Sequence, residues 1–421
     1  MEPRGTLALL FVMTMTSVQS QAPAASWPQW GGPSRNFVVD APALAKPWPA
    51  DGPRRLWWRA LGEGHSSIVE DRGRLFTAYR PAGLLSIVRR SQEEAVGAFD
   101  AATGKTLWEY RYPAPTSGLD FSYGAGPHGT PLVSGGLVFA TSSLKQLFAL
   151  NRDSGALVWS HDLIREYGAQ PPGRGYTCSP LQYRDTIIVN VGGRPGQSIM
   201  AFNRKTGALV WKGGDFDPAP ASPIVIDVAG QPQLVALAAD RIVGLDPSNG
   251  AVLWTYPHAT QYGLNISTPV WSENELFVSS AYNGGSRLLQ LTRLDGKTSV
   301  KELWFTNRMR VHFGSVVRIG DHIYGSSGDF GPAFLVGVDA KTGRVAWQDR
   351  AFARAQLVNG GPAVVLLDED GTLGLVKLTP KGLVTISRTS VMEATSWTPP
   401  TVVGPRIYLR DRKNMVALSV Q

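Results

Sequence analysis

One cysteine, Cys178, in a chain of 421 residues excludes an intramolecular disulfide, and a lone thiol is most often a small buried core residue. After the first twenty residues no long stretch repeats its apolar positions every 3.6 residues, so helix should be rare. The one sustained apolar run, Leu7 to Val12 with Met13 and Met15, is too short to span a bilayer as a mature helix. The chain has no Gly-x-Ser-x-Gly elbow, no His-Glu-x-x-His zinc motif, no phosphate-binding loop and no Cys-x-x-Cys-His haem attachment. Charge of one sign is not concentrated either. Lys and Arg number 41 against 33 Asp and Glu, an excess of 8, and Arg54-Arg55, Arg89-Arg90, Arg308 to Arg310 and Arg406 to Lys413 are scattered among acidic residues. Such a surface favours anionic partners mildly, and without a basic stripe or a recognisable module nucleic-acid binding is not expected.

What is abundant is punctuation, 46 Gly and 30 Pro, and a phrase that returns six times: an apolar pair, a polar turn closed by glycine, then tryptophan. Clear copies run from Ala98 through Asp100 and Gly104 to Trp108, and from Val336 through Asp339 and Gly343 to Trp347. Others lead to Gly155 and Trp159, Gly207 and Trp211, and Gly250 and Trp254, with a looser copy at Gly296 and Trp304. Each reads as a β-hairpin, with Asp or Asn bonding its own backbone and glycine supplying positive φ. A tryptophan placed once per unit on the outer strand fills the space between neighbouring sheets and gives its indole N–H to a carbonyl. Trp57, Trp108, Trp159, Trp211, Trp254, Trp304 and Trp347 are therefore assigned to packing.

Two further strands precede each phrase. Thr130-Pro131, Ser179-Pro180, Ser222-Pro223, Thr268-Pro269 and Gly361-Pro362 mark the starts of innermost strands, since proline is tolerated at a strand's first residue and hardly elsewhere in a sheet. Four strands per unit and a period of roughly 40–50 residues specify a β-propeller. Starts at Ser66, Gly129, Cys178, Ala221, Ser267, Gly314, Gly360 and Thr398 give eight four-stranded antiparallel blades, an all-β fold. The seventh blade has Ile386 where tryptophan is expected, and the eighth runs out of chain before its outer strand. Residues 54–61 read as that missing strand, closing the ring and removing an exposed edge. The division expected is a signal peptide over 1–20, with a basic start and small residues at Val18-Gln19-Ser20, an extended segment over 21–53, and one propeller over 54–421. With no cysteine near the cleavage site, a soluble exported protein of the periplasm or exterior is expected, not a lipid-anchored one.

The phrase Ala-x-Asp-x-x-Thr-Gly-x-x-x-Trp resembles the repeat of pyrroloquinoline quinone (PQQ) type propellers. These include bacterial quinoprotein alcohol dehydrogenases and the propeller lipoprotein (BamB) of the outer-membrane β-barrel assembly machinery. The opening Trp27-Pro28-Gln29-Trp30-Gly31-Gly32-Pro33-Ser34-Arg35-Asn36 is similar to the start of exported propellers of this type. The resemblance covers nearly the whole mature chain and speaks for fold, because the repeated residues are those that build blades. For the dehydrogenase branch it implies PQQ between a tryptophan floor and a ring of adjacent disulfide-bonded cysteines, beside Ca²⁺ held by oxygen ligands. One cysteine cannot form that ring, and no motif matches the ligand set. No cofactor and no metal is therefore expected, with PQQ and Ca²⁺ as the alternative.

Segments running from an outer strand to the next innermost strand converge near a propeller axis, so a site is expected there. His65, His128, Arg174, Tyr176, Asn265, Arg310, His312 and Trp397 fall in such segments, three of the six histidines among them. Histidine bonds, shuttles protons and binds metals near neutral pH, although loop histidines commonly just bond carbonyls. Trp397 and Tyr176 could offer stacking surfaces, and Arg174 or Arg310 a cation. A pocket so lined suits a small anionic or hydroxylated molecule. Asp368-Glu369-Asp370-Gly371 lacks the spaced oxygens of a calcium loop and reads as a hairpin turn. The function expected is a binding or scaffold protein of the cell envelope, for a protein or a small ligand, with a PQQ-dependent alcohol or sugar dehydrogenase as the alternative.

Overall fold

The computed structural model describes residues 26–82, 90–124 and 126–421. The leader expected over 1–20 lies outside them. Eight separate four-stranded antiparallel sheets follow one another along the chain and close into an eight-bladed β-propeller. Blade 1 comprises Val69–Asp71, Arg74–Tyr79, Glu93–Asp100 and Thr106–Pro113, and the next six repeat this consecutive order out to Gly382–Ser390 in blade 7. Blade 8 takes Thr401–Val403, Arg406–Arg410 and Asn414–Ser419 from the end of the chain and Arg54–Ala60 from its beginning, the last paired antiparallel to Asn414–Ser419. Helix among the described residues is confined to Leu163–Tyr167 and a 3₁₀ turn over Pro42–Ala45, and none is long and apolar enough to cross a membrane.

The core lies between blades. One apolar cluster joins Phe139 of blade 2 to Ile187, Met200 and Phe202 of blade 3, another joins blades 3 and 4 through Ile188 and Leu234, and a third joins blades 4 and 5 through Val235 and Leu289. A chain this long can thus be one ring of small cores.

The tryptophans are built into these seams. The indole N–H of Trp57 donates to the Ala101 carbonyl at 3.1 Å, Trp108 to Arg152 at 2.9 Å, Trp159 to Arg204 at 3.0 Å, Trp211 to Pro247 at 3.1 Å and Trp304 to Ala340 at 2.6 Å. Every one of these acceptors follows the Asp or Asn that opens the turn of the next blade. The same turn's glycine lies under the indole. At Gly207, whose φ is 74°, an added Cβ would stand 2.8 Å from Trp159 Cδ2. A β-bulge one residue before each tryptophan bends the outer strand, as where Ala201 pairs with Trp211 and Phe202 with Leu209.

Two details of the repeat differ from the sequence expectation. In blade 7 the bulge falls at Ile386, because Leu375 pairs with Ser387 and Val376 with Thr385, so Ser387 holds the tryptophan position. The N-terminal segment serves this seam: the backbone N–H of Trp48 donates to Ser387 Oγ at 2.9 Å, and the Trp48 side chain is buried in one cluster with Leu373, Leu375 and Leu418. Gly361-Pro362, second, does not open an innermost strand. It sits in the turn after Gln356–Asn359, where proline costs no ladder bond.

Candidate functional site

Residues 26–41 cross the propeller on the axis. Trp27 bridges Glu70 of blade 1, the Pro28 carbonyl accepts from Val133 N in blade 2, and Phe37 and Val39 exchange backbone bonds with Asn359 in blade 7. Arg35, buried, donates to the carbonyls of Pro180 at 2.9 Å and Ser179 at 3.3 Å. Trp30 between them donates its indole N–H to Thr268 Oγ1 of blade 5 at 2.8 Å.

Above Trp30 lies a cavity of about 220 Å³. Connections between blades wall it: His65 before blade 1, Tyr123 and His128 before blade 2, Arg174 before blade 3 and Trp397 before blade 8. His312 and Phe313 enter from the innermost strand of blade 6, and Tyr282 from a turn of blade 5. Their rings form an unbroken arc. His128 and His65 stack parallel within 2° at 5.5 Å, His65 and Trp397 lie 5.0 Å apart, Trp397 and Phe313 4.8 Å, Phe313 and His312 4.8 Å, and His312 and Tyr282 4.9 Å.

The histidines are oriented by partners that can be named. His65 Nε2 lies 3.0 Å from the Tyr123 carbonyl and His128 Nε2 3.2 Å from the Arg174 carbonyl. A carbonyl only accepts, so each Nε2 carries the proton. His312 Nε2 meets the Tyr282 hydroxyl at 2.7 Å, and Arg354 Nη1 approaches its Nδ1 at 3.4 Å. Burial disfavours the charged ring throughout. It lowers His128 and His312 to about 4, with Arg354 assisting at His312. His65 falls well below its ordinary value through burial, then His128, Arg410 and Arg412. All three are neutral imidazoles at pH 7.

The cavity thus gathers His65, His128, Arg174, His312 and Trp397 of the eight residues picked out from the sequence. The other three are held elsewhere. Tyr176 is buried beside it, its hydroxyl donating to the Asn190 carbonyl at 2.6 Å, and burial raises its pKa well above 10. Asn265 is a buried junction, donating to the Ala238 carbonyl at 2.7 Å and accepting from Ser280 Oγ at 2.6 Å. Arg310 faces a separate surface groove with Asp329, 3.5 Å away. Sequence reasoning missed Trp30, Tyr282 and Phe313. Phe313 adjoins His312, and Trp30 lies in the distinctive opening phrase; nothing in the repeat marks Tyr282.

No Asp or Glu is among the lining residues, and the described residues contain no group of three or more His, Cys, Asp or Glu able to hold a metal ion. Cys178 is free and buried. The donor set around the cavity therefore does not fit PQQ beside a hard cation, which takes oxygen ligands.

A ring of four-stranded blades sealed by tryptophans, with a closing strand from the chain start, defines a β-propeller of the PQQ-repeat type. The chain belongs to the family described as outer membrane protein assembly factor BamB, whose sequence model matches residues 92–349. It is 26% identical over 242 residues to the outer membrane protein assembly factor BamB of Yersinia pestis, covering 54% of this chain and 55% of that one. It is also 26% identical over 238 residues to the 1-butanol dehydrogenase (quinone) of Thauera butanivorans, covering 52% of this chain and 35% of that one. The chain thus spans less than two thirds of the length of either relative. Among solved structures, BamB from Moraxella catarrhalis superposes with a TM-score of 0.60 at 18% identity over 87% of this chain and 97% of that one, a likeness of fold.

Proposed function

We propose that this chain is an exported propeller of the cell envelope that works by binding, and that the axial cavity is its small-ligand site. The observation that carries the reading is the cavity itself: a floor of Trp30, a continuous arc of rings, neutral imidazoles and one arginine, lining a volume suited to a small molecule. Most of the lining side chains come from segments between blades, where the repeat leaves side chains free to vary. Membership of a family described as an assembly factor supports a binding or scaffold role, with a cell-envelope protein as a further partner on the outer surface.

The second reading, a PQQ-dependent quinoprotein dehydrogenase, is favoured by the likeness to the Thauera enzyme. Two measurements separate them. Thermal shift and intrinsic tryptophan fluorescence against a panel of small carboxylates and polyols should find ligands whose signal depends on Trp30. Loading with PQQ and Ca²⁺ should leave dye-linked oxidation of alcohols and sugars at background. Stoichiometric PQQ uptake with turnover would replace the binding reading by the enzyme, and a panel without any ligand would remove the cavity from it.

A further inference from the structure

Resting on that reading, we infer that the cavity takes a single-ring hydroxylated aromatic carboxylate, recognised by Arg174 and by the two parallel imidazoles of His65 and His128. Size comes first. About 220 Å³ is below the roughly 300–1,000 Å³ of pockets that hold drug-sized ligands, so one ring with short substituents fits and a fused multi-ring tricarboxylate does not.

The acceptors come next. His65 and His128 each commit Nε2–H to a backbone carbonyl, which leaves each Nδ1 a bare lone pair with no partner among the described residues. Both side chains are half-buried and line the cavity, so a ligand carrying O–H groups can donate to these free lone pairs in place of water. The two rings stack parallel within 2° at 5.5 Å, and both line the cavity.

A guanidinium comes last. Arg174 stacks over Tyr123 at 5.4 Å and uses only Nε toward Asp120, at 3.1 Å; its two Nη groups have no partner among the described residues. A guanidinium with both Nη groups open matches a carboxylate. Arg35, buried with backbone carbonyls and the Gln29 amide oxygen for acceptors and no carboxylate, adds to the field below the floor, since Ser179 both accepts from it and lines the cavity.

A sugar acid also carries hydroxyls and a carboxylate. It would bury four or five polar groups, whereas the lining is predominantly apolar and ring-bearing, so most would lose water without replacement. A planar ring instead stacks on Trp30 or Trp397 and needs only the few polar partners present.

The probes are 3,4-dihydroxybenzoate, benzoate, catechol and glucuronate, titrated by calorimetry into the full-length protein. Dihydroxybenzoate should bind, with benzoate and catechol each weaker by about tenfold or more, the usual cost of one lost charged or buried hydrogen bond. Arg174→Gln changes an exposed side chain and leaves the carbonyl that holds His128, so folding is retained. It should erase the preference for dihydroxybenzoate over catechol and spare the preference over benzoate. His128→Phe should do the reverse. Equal binding of benzoate and dihydroxybenzoate, tighter glucuronate, or no response to dihydroxybenzoate overturns the inference. Glucuronate bound in a Trp30-dependent way would sink the ligand class alone, while a panel in which nothing binds sinks the cavity reading with it.

Discussion

Trp254 donates its indole N–H to the side-chain oxygen of Gln233, 2.6 Å away in its own blade, where Trp57, Trp108, Trp159, Trp211, Trp304 and Trp347 reach a backbone carbonyl of the next. The departure has a cause. The next hairpin, Gly285–Leu294 with Lys297–Thr306, is ten residues per strand, so its turn is carried away from the seam. Gln233, fully buried, substitutes and ties the seam by donating to Thr298 Oγ1 at 2.6 Å. Gln233→Leu should cost about 1–3 kcal/mol, the penalty for a buried donor left unpaired. In a Trp254→Phe background the same change should cost far less, and urea unfolding of the four proteins gives the coupling. Equal costs in both backgrounds would contradict the pairing.

The turn glycines make a second, separable contribution. Gly207 and Gly230 both have positive φ, 74° and 81°, yet a Cβ at Gly207 meets the Trp159 ring at 2.8 Å and one at Gly230 meets nothing within 4 Å. Gly230→Ala should therefore cost only the backbone strain, about 1–2 kcal/mol. Gly207→Ala should cost more by the displacement of the ring, typically a further 1–3 kcal/mol for overpacking. Similar melting temperatures for the two would show that the ring is not held against the turn.

Acid should weaken the ring in a defined window. Burial lowers His128 and His312 to about 4 and His258 to about 3, from 6.5 when unfolded. Between these values the unfolded chain binds protons that the folded one does not, so stability is full above pH 6.5 and falls as pH drops toward 4. Imidazole NMR resonances of the folded protein should remain neutral at pH 5.5. Titration of these three near 6.5 would refute the burial argument.

The blade count and the closing strand could be read directly because both rest on local chemistry, Asp-x-x-x-Gly turns and apolar alternation, repeated often enough to outweigh irregular copies. Asn265 and Arg310 show where that reading stops. Position in an inter-blade segment says that a residue is near the axis, but Asn265 turns its amide to the Ala238 carbonyl and Arg310 turns outward to Asp329. Those choices depend on partners far away in sequence. Trp30 illustrates the reverse, a floor supplied by a segment that has no repeat to announce it.

Trp48 carries the same lesson into energetics. Lying in the segment before the first strand, it belongs to no copy of the repeat, and the blade it serves has Ser387 in the position that tryptophan holds in the other seven. Trp48 is 7% exposed, buried in one cluster with Leu373 and Leu375 and anchored through its backbone N–H to Ser387 Oγ. Removing a buried aromatic ring from a packed core costs about 3–5 kcal/mol. Trp48→Ala should therefore destabilise the propeller about as much as Trp159→Ala, an in-repeat seam tryptophan. Trp58→Ala is the control: 45% exposed on Arg54–Ala60, it should shift stability by only about 0.5 kcal/mol. Denaturant midpoints for the three variants decide the matter. If Trp48→Ala tracks Trp58→Ala, the segment merely lies on the propeller; if it tracks Trp159→Ala, residues before the first strand supply the tryptophan that blade 7 lacks.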